Sequence, residues 1–264
     1  MKATASLGIA ARPVWRTEIA KNELLAALPL RDVRRMRESL ELVDLVPGQV
    51  LCGDGRLQSC AYFPTSATVA IGSKLEAGGA FKLAIVGQEG LIGIALFLGD
   101  TQAQGYAKVQ GAGQAFRINA QSVIDEIHAG GALLQSALRY AQAFMVQLMQ
   151  AAACQRHHTI EQRTCRWLLQ TYDRAGCNEI DISQIEMSER LGVRRSSVSQ
   201  VAVMLQGQGA IEYARGHITL LDRTVIEKLT CECYARGKAD VDRLLHHRQT
   251  AATSSRSGGR RNLH

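Results

Sequence analysis

One segment decides the fold of this chain: residues 181–222, which read DISQIEMSERLGVRRSSVSQVAVMLQGQGAIEYARGHITLLD. Ser183 is followed three residues later by Glu186, and this spacing has the form of a capping box, which predicts a helix from there to about Leu191. Gly192 follows, and a glycine at that point lets the backbone turn sharply into another helix. The segment is therefore predicted to begin with two short helices joined by a tight turn.

The second predicted helix, over residues 194–206, has two different sides. At roughly 100° per residue, one side carries apolar residues that can pack on the preceding helix: Val198, Val201, Ala202 and Leu205. The other side carries hydrogen-bond donors and acceptors: Arg195, Ser196, Ser199 and Gln200. Base edges and phosphates of DNA require such groups. Taken alone, the pattern also fits an amphipathic surface helix with solvated polar residues.

The residues after this helix favour DNA binding. The β-type runs 211–213 and 218–220 predict a hairpin around Arg215, Gly216 and His217. A hairpin directly after such a helix pair is the wing of a winged helix-turn-helix, which places its second helix in the DNA major groove. The predicted DNA-contacting residues of the helix are Arg194, Arg195, Ser196, Ser197, Ser199 and Gln200, and those of the wing are Arg215, Gly216 and His217. Arg190, Arg194 and Arg195 form a local positive cluster, which is expected to meet phosphate and guanine.

The predicted secondary structure of the upstream residues changes twice, from helical to β-type and back to helical. Residues 22–45 have a helical pattern, in which Pro29 separates two short helices. Residues 47–118 alternate short β-type runs with glycine-containing turns, which predicts a sandwich or small barrel. The β-type runs are 49–52, 60–63, 68–71, 81–86, 107–109 and 115–118. From Ser122 the pattern is helical again, with a second helix predicted at 159–172.

The long helical stretch carries apolar residues three to four positions apart: Leu134, Ala137, Leu138, Ala141, Phe144, Met145, Leu148 and Ala152. This pattern is close to a heptad seam, so it predicts that the helix pairs with the same helix of a second copy. Packing on the β domain of its own chain is the alternative, and the two can coexist on different faces. We favour a homodimer, because helix-turn-helix proteins usually read two half-sites as a pair.

The predicted fold class is α+β, with an N-terminal β sandwich or small barrel, a long dimerisation helix and a C-terminal winged helix-turn-helix. The predicted domains, in chain order, are a flexible leader at 1–21, an N-terminal β domain at 22–130, a dimerisation helix at 131–153, the winged helix-turn-helix domain at 154–226, and a C-terminal helix with a disordered basic tail at 227–264. The hinge between the two main domains is expected near 153–158.

Composition limits the class of protein further. The chain has 264 residues, 46% hydrophobic residues and a net charge of +7. Residues 224–264 carry eight basic and four acidic side chains, so the excess is concentrated near the C-terminal end, where it is either a nonspecific attraction for DNA or simply a solvated tail. The start has no signal-peptide core. The most apolar run, 83–98, is interrupted by polar and glycine residues, so no membrane helix is predicted.

Seven cysteines without a signal peptide indicate reduced thiols in the cytosol, and we expect a cytoplasmic protein. No nucleophile elbow, Walker loop or zinc-protease motif occurs, so no enzyme is predicted. Cys154, His157, His158 and Cys165 have a spacing that could ligate zinc, but they would span a helical hinge. Cys231 and Cys233 are too close in sequence for a zinc ribbon and are expected to finish a helix. We therefore predict no metal site.

The order of these elements resembles that of the Crp–Fnr family of bacterial transcription regulators. The similarity is carried by NELLAALP at 22–29, PGQVL at 47–51, CRWLL at 165–169, LGVRRSSV at 191–198 and RGHIT at 215–219, and it extends over about residues 22–234. The resemblance implies that residues 22–130 form a sensor domain shaped like a cyclic-nucleotide-binding β-roll (jelly roll). It also implies a homodimer that contacts double-stranded DNA and commonly RNA polymerase.

The resemblance also implies individual roles in the reading helix. In the family's motif, the arginine two or three residues after the turn glycine reads a guanine, and here that residue is Arg195. Family members that read cytosine often carry Glu at the next position, where this chain has Ser196, so their operator cannot be transferred. Gln200 falls where some relatives place a second side chain that contacts a base or a phosphate.

Two departures from the family bear on the signal. Its cyclic-nucleotide binders carry a Gly-Glu pair on a phosphate-binding turn and then an Arg that neutralises the phosphate. Here the turn reads GQEGLIG at 87–93, and no Arg lies between Arg56 and Arg117. Lys82 and Lys108 remain, but a lysine does not reproduce the bidentate fork of an arginine. This argues against cyclic AMP.

The iron–sulfur branch of the family needs four thiolates that include an N-terminal cluster, but no Cys precedes Cys52. No cofactor is predicted, and the effector is unknown. Two other interpretations stay open. One is a redox- or metal-responsive sensor that uses its cysteines, and the other is a ligand-binding module that does not bind DNA.

Overall fold

The β-type runs of the N-terminal half form two antiparallel sheets. The computed structural model of the chain describes residues 11–53, 55–74, 80–103 and 105–246. One sheet has three strands, β1 (Glu41–Leu45), β3 (Cys60–Pro64) and β7 (Gly113–Asn119), in the order β1-β7-β3. The other has four, β2 (Val50–Cys52), β4 (Thr68–Lys74), β5 (Ala80–Val86) and β6 (Tyr106–Gly111), in the order β2-β6-β4-β5. Both sheets contribute to one core around Phe63, Val69 and Phe116.

Helices surround this β-roll. Those before β1 are α1 (Ala11–Ile19), α2 (Glu23–Ala26) and α3 (Leu30–Arg35), followed by a 3-10 turn at Met36–Glu38. Those after β7 are α4 (Ala120–His128) and α5 (Ala132–His157), and a further 3-10 turn lies at Ile94–Leu98. Pro29 is the N-cap of α3 and separates it from α2, as predicted. The buried side chain of Asn22 caps α2 and donates hydrogen bonds of 3.0 Å to the carbonyls of Pro64 and Gly90, which ties α2 to the β-roll.

Strand β1 corrects the prediction of helix through residue 45. Leu40 and Val43 are three positions apart, a spacing that fits a helix, but Leu42 lies opposite Phe116 and Val43 opposite Ala115 in the ladder with β7. Pairing with a distant strand therefore overrides the local pattern, as is common for short apolar runs.

The leader predicted at 1–21 is partly helical. Residues 11–19 form α1, Ile19 is buried, and the Trp15 ring packs edge-on against Phe116 with centroids 6.1 Å apart. A side-chain contact with the β-roll core, which the local sequence does not reveal, orders this segment. Residues 1–10 lie outside the described residues.

The C-terminal half begins with α6 (Ile160–Ala175) and β8 (Glu179–Asp181). The helix pair is α7 (Gln184–Leu191) and α8 (Arg195–Gly207), followed by β9 (Ile211–Ala214) and β10 (His217–Leu220). The small sheet has the order β8-β10-β9, so the predicted hairpin gains a third strand. This domain has its own core, which includes Trp167, Leu168 and Leu205.

The chain ends with two helices, α9 (Arg223–Leu229) and α10 (Cys233–His246). Helix α10 packs along α5, and its Leu244 and Leu245 are buried in the core of the N-terminal domain. The predicted C-terminal helix is thus an integral element that returns to the β-roll. The predicted tail, residues 247–264, lies outside the described residues.

Helix α5 is unbroken through residue 157, beyond the predicted boundary at 153. His158 has an extended backbone with ψ of 151°, and Thr159 then caps α6 through a capping box with Gln162. The break between the two helices therefore lies at His158, inside the predicted hinge. In the described part of the chain, none of the helices combines the length and apolar character that crossing a bilayer requires.

Candidate nucleic-acid interface

The helix-turn-helix forms where the sequence predicts it. The backbone amide of Glu186 donates to Ser183 Oγ over 3.2 Å, and the amide of Ser183 donates to Glu186 Oε2 over 3.0 Å. The carboxylate oxygen Oε2 of Glu186 accepts hydrogen bonds from the backbone amide of Ser183 and, over 2.9 Å, from Ser183 Oγ. These two bonds, the one from the backbone amide above all, lower the pKa of Glu186. Gly192 ends α7 with φ of +62°, a conformation in which any other residue would be strained.

Helix α8 has the two sides that its sequence indicates. Its buried residues are Val198, Val201, Ala202 and Leu205. Arg195, Ser196 and Gln200 are exposed, and Ser199 is partly exposed. The N-cap residue Arg194 is exposed, and its side chain makes no capping hydrogen bond. The amide groups of the first turn of α8 therefore have no side-chain cap, and such a helix start attracts anions.

Gln184 is a residue of this surface that sequence reasoning missed. Its Oε1 atom accepts a hydrogen bond from Arg195 Nε at 3.3 Å and another from Ser199 Oγ at 2.9 Å. One side chain of α7 thus orients two of the predicted DNA-contacting residues of α8. The available sequence signal is its position at the start of α7, where it faces the first turn of the next helix.

Arg163 is a second residue that sequence reasoning missed. It is buried, and its Nη2 donates a hydrogen bond to the carbonyl oxygen of Leu191, the last residue of α7. Burial lowers the pKa of Arg163. The contact joins α6 to the turn between α7 and α8, so it holds the turn that sets the direction of the reading helix.

The wing is a hairpin with a two-residue turn. Arg215 has φ of +51° and Gly216 has φ of +84°. Two positive φ values in succession are typical of a type I′ turn, which matches the twist of paired strands but is strained for Arg. The exposed Arg215 is therefore presented at the tip of the hairpin.

His217 lies beside acidic residues. Its Nδ1 atom is 2.7 Å from Asp181 Oδ1, and the hydrogen bond with Asp181 raises the pKa of the imidazole, as do Glu179 and Glu212. The neighbouring carboxylates offset the positive charge of this part of the wing. Arg194 and Arg195 are consequently the better placed cations for phosphate contact.

Arg190 does not join the predicted cluster with Arg194 and Arg195. Its Nη2 donates a hydrogen bond of 2.6 Å to Gln110 Oε1 on β6, and its guanidinium lies 5.6 Å from the centroid of the Trp167 ring. Burial lowers its pKa to about 10. The expectation that Arg190 meets DNA is wrong for this conformation, because the side chain fills the junction with the β-roll instead.

A second contact across the same junction involves the predicted phosphate-binding turn. Glu89 Oε1 is 2.7 Å from Arg174 Nε on α6, and both side chains are mostly buried. Gln88 donates a hydrogen bond of 2.6 Å to the carbonyl oxygen of Thr65. The turn thus holds the DNA-binding domain against the β-roll through a partly buried ion pair.

The β-roll encloses a cavity of about 390 Å³ between the 3-10 turn Ile94–Leu98 and α5. Its wall is mainly apolar and includes Ile71, Leu91 and Phe144. Tyr140 reaches it from α5, and burial raises the pKa of this phenol far above its ordinary value. Among the described residues of this wall there is no Lys or Arg.

The Cys and His residues that lie together in the structure are not the set whose spacing suggested a zinc site. Cys154 and His158 lie close to Cys231 and Cys233, and the four ligand atoms are all within 4.8 Å of one another. Cys165 belongs instead to the core of the DNA-binding domain, and His157 is exposed. Cys233 opens α10 rather than finishing a helix. Burial raises the pKa of Cys154 to about 12 despite the nearby Arg166 guanidinium, which disfavours a reactive thiolate there.

Comparison with known proteins agrees with this architecture. Residues 162–229 match the Crp-like helix-turn-helix domain. The structure of FixK2 from Bradyrhizobium japonicum is similar with a TM-score of 0.62 at 14% identity, covering 73% of this chain and 98% of FixK2. A Crp/Fnr-family transcriptional regulator from Thermus thermophilus matches with a TM-score of 0.58 at 17% identity, covering 72% and 97% of the two chains.

The c-di-GMP-responsive global regulator CLP from Xanthomonas campestris has a TM-score of 0.57 at 15% identity, covering 74% of this chain and 100% of CLP. No curated protein sequence gives a significant match. The chain thus has the fold of Crp–Fnr transcription regulators and carries a Crp-like helix-turn-helix DNA-binding domain. The family resemblance and the α+β fold class predicted from the sequence are confirmed.

Proposed function

We propose that this protein is a homodimeric, sequence-specific DNA-binding transcription regulator whose β-roll controls the spacing of two reading helices. One observation carries the proposal: the polar side of α8 is exposed beside an uncapped helix start, while its apolar side is buried in the domain core. Such a helix can enter the major groove while its apolar side stays packed in the domain core. RNA polymerase is a further partner that the family resemblance suggests.

Arg195 is the residue that we assign to base reading. Its side chain is exposed and oriented by Gln184, so little freedom is lost when it docks. A bidentate Arg contact with guanine contributes about 1–3 kcal/mol of discrimination against other bases. Arg194 is assigned to phosphate, and Ser196, Ser197, Ser199 and Gln200 to neighbouring bases or phosphates. The wing residues Arg215, Gly216 and His217 are assigned to the flanking backbone.

The experiment is a selection of preferred sites from a random duplex library, followed by anisotropy titration of the selected duplex. Arg195→Ala is expected to weaken specific binding by about 5- to 150-fold for each half-site, and so by about 30- to 20,000-fold for the dimer, because the guanine contact is lost in both copies. The matched control is Arg34→Ala, which removes an exposed arginine from α3 of the β-roll.

Binding by both the wild type and the control should weaken steeply as salt rises, because bound phosphates release counterions. If Arg195→Ala retained the wild-type affinity and the wild-type selected sequence, the assignment of α8 as the reading helix would be wrong. If no duplex were enriched and the titration did not depend on salt, the chain would be a ligand-binding module that does not bind DNA.

The homodimer is supported by the outward face of α5. Leu138, Met145 and Met149 are 44%, 57% and 65% exposed, and their spacing of seven and four residues places them on one side of the helix. The opposite side carries Leu133, Ala137 and Tyr140, which are buried in the chain's own core. The apolar residues of α5 therefore include one set that packs on the chain's own core and another, exposed set that is available for pairing with a second copy.

The signal is proposed to reach the DNA-binding domain through the junction described above. Glu89 holds Arg174 of α6, and Gln110 of β6 holds Arg190 of α7. A change in the β-roll that moved either contact would rotate the helix-turn-helix about His158. Two half-sites on one face of DNA require reading helices about 34 Å apart, so such a rotation would control binding.

The effector is proposed to be a ligand other than cyclic AMP. The cavity wall between the 3-10 turn and α5 has no Lys or Arg among its described residues, while a cyclic phosphate needs a cation. Glu89, on the turn that would hold phosphate, is already paired with Arg174. Calorimetric titration with millimolar cyclic AMP is expected to give no binding heat. A saturable heat with one ligand per chain would contradict this.

A further inference from the structure

The sulfur and imidazole groups at the hinge have no role in DNA reading. Cys154, Cys231 and Cys233 are 0%, 3% and 1% exposed and form a cluster separate from both domain cores. His158, the residue at which α5 ends, places its ring against this cluster.

We propose that Cys154, His158, Cys231 and Cys233 form a structural zinc site that fastens the end of α5 to the junction of α9 and α10. Three thiolates and one imidazole are a donor set typical of closed, four-coordinate zinc sites. Cys154 lies in the last turn of α5 and His158 is its C-cap, and the structure brings both side chains to the same cluster. The other two flank Glu232 at the start of α10. This proposal does not depend on DNA binding.

Two of the six distances between the ligand atoms match the edges of a tetrahedron around one ion, and all six are within 4.8 Å. Zinc–sulfur bonds of about 2.3 Å and zinc–nitrogen bonds of about 2.0 Å give a tetrahedron with sulfur–sulfur edges of about 3.8 Å and sulfur–nitrogen edges of about 3.5 Å. In the chain, Sγ of Cys154 is 3.6 Å from Sγ of Cys231, and Sγ of Cys233 is 3.5 Å from Nδ1 of His158. Four ligand atoms within 4.8 Å of one another suit a single ion better than an iron–sulfur cluster, whose thiolates are divided among two or more irons.

The surrounding side chains complete the site. The second ring nitrogen of His158, Nε2, lies 3.3 Å from Glu232 Oε1. A carboxylate on the far nitrogen is the usual partner of a metal-binding histidine, because it fixes the ring and the tautomer. Gln150 Nε2 donates a hydrogen bond of 2.8 Å to Cys233 Sγ, which favours the thiolate. On binding, each of the three thiols releases its proton to the buffer and zinc takes its place.

The proposed zinc site lies at the hinge between the two halves of the chain. His158 separates α5 from α6 and so lies at the hinge between the β-roll half and the DNA-binding half. Cys231 and Cys233 belong to the segment that directs α10 back along α5. A zinc ion at this point would hold the start of α10 against the end of α5 with one set of bonds, and it would give the proposed rotation about His158 a fixed pivot.

The test is the metal content of the untagged full-length protein, purified anaerobically and measured by inductively coupled plasma mass spectrometry. We expect about one zinc per chain for the wild type. Cys154→Ser and Cys233→Ser should lose the zinc. The matched control, Cys177→Ser, removes an exposed cysteine outside the cluster and should keep it. Glu232→Gln should release zinc to a chelator at about 10- to 100-fold lower chelator concentration.

A second measurement covers the case in which the serine variants fail to fold. Metal-free wild-type protein is titrated with Co²⁺, and the intense visible bands of tetrahedral thiolate-bound cobalt should saturate at one equivalent and disappear when Zn²⁺ is added. The proposal is overturned if wild-type protein carries no zinc and shows no such bands. It is equally overturned if the protein carries an iron–sulfur cluster, or if Cys154 and Cys231 are joined by a disulfide. Zinc retained by both Cys154→Ser and Cys233→Ser would overturn it as well.

Discussion

Helix α5 supports the sharpest test of the dimer, the substitution Met149→Glu. Full burial of a Leu or Met side chain contributes about 1.5–3 kcal/mol. Scaled by the exposed fractions of 44%, 57% and 65%, the side chains of Leu138, Met145 and Met149 would contribute roughly 3 kcal/mol per copy if a second copy covered them. Met149 accounts for more than a third of this, because it is the most exposed of the three.

Met149→Glu removes that contribution from both copies and places two carboxylates near the dimer axis. The lost apolar contact amounts to about 2–4 kcal/mol per dimer, and repulsion between the two carboxylates adds to this loss, so the dimer dissociation constant is expected to rise at least about 30-fold. Sedimentation equilibrium over a range of protein concentrations measures this constant. The control is Leu30→Glu, which adds the same charge at a leucine of α3 that is 59% exposed and far from α5 in sequence.

Two results would refute the reasoning about α5. One is a Met149→Glu protein with the dissociation constant of the wild type. The other is a wild-type protein that remains monomeric at every concentration measured. Equal weakening by Leu30→Glu would also count against it, because the interface would then lie on another surface or the charge would act nonspecifically.

Three further changes have defined outcomes. Arg190→Met removes the junction contact with Gln110, so specific DNA affinity should change, while the selected sequence and the salt dependence of binding stay those of the wild type because Arg190 itself touches no DNA; a reduced salt dependence in anisotropy titrations would restore Arg190 to the interface. Arg215→Asn should raise stability by up to about 1 kcal/mol in urea unfolding, because Asn tolerates positive φ better, while weakening DNA binding; stronger binding would contradict its assigned wing contact. His217 has a raised pKa, so the stability from its pairing with Asp181 is fully present below its ordinary pKa of 6.5 and is lost as pH rises through the higher pKa of the folded state. The difference in melting temperature between wild type and His217→Gln should therefore shrink as pH rises. A difference that stayed constant with pH would exclude the pair as its cause.

Features set by neighbouring residues were predictable from the sequence. The capping box of Ser183 and Glu186, the positive φ of Gly192 and the hairpin turn at Arg215 and Gly216 all depend on contacts within a few positions. The two sides of α8 follow from helical periodicity alone. These elements formed where they were expected because their stabilising interactions are local.

Features set by distant contacts were not predictable in this way. Strand β1 is a strand because β7 lies beside it, and α1 is ordered partly because Trp15 reaches Phe116. Arg190 faces the β-roll rather than DNA because Gln110 and Trp167 lie in its reach. None of these partners is near in sequence.

The amino-acid sequence by itself determined the helix-turn-helix and its hairpin, because capping, turn chemistry and periodicity act over a few residues and can be recognised in a single sequence. Only the tertiary structure decided which apolar residues of α5 are buried in the chain's own core and which stay exposed. It also brought Cys154 and His158 to Cys231 and Cys233, residues more than 70 positions away. The physical reason is that such contacts depend on how helices return across the fold, and the path of α10 back along α5 is set by the burial of Leu244 and Leu245 in a core built mainly by the other half of the chain.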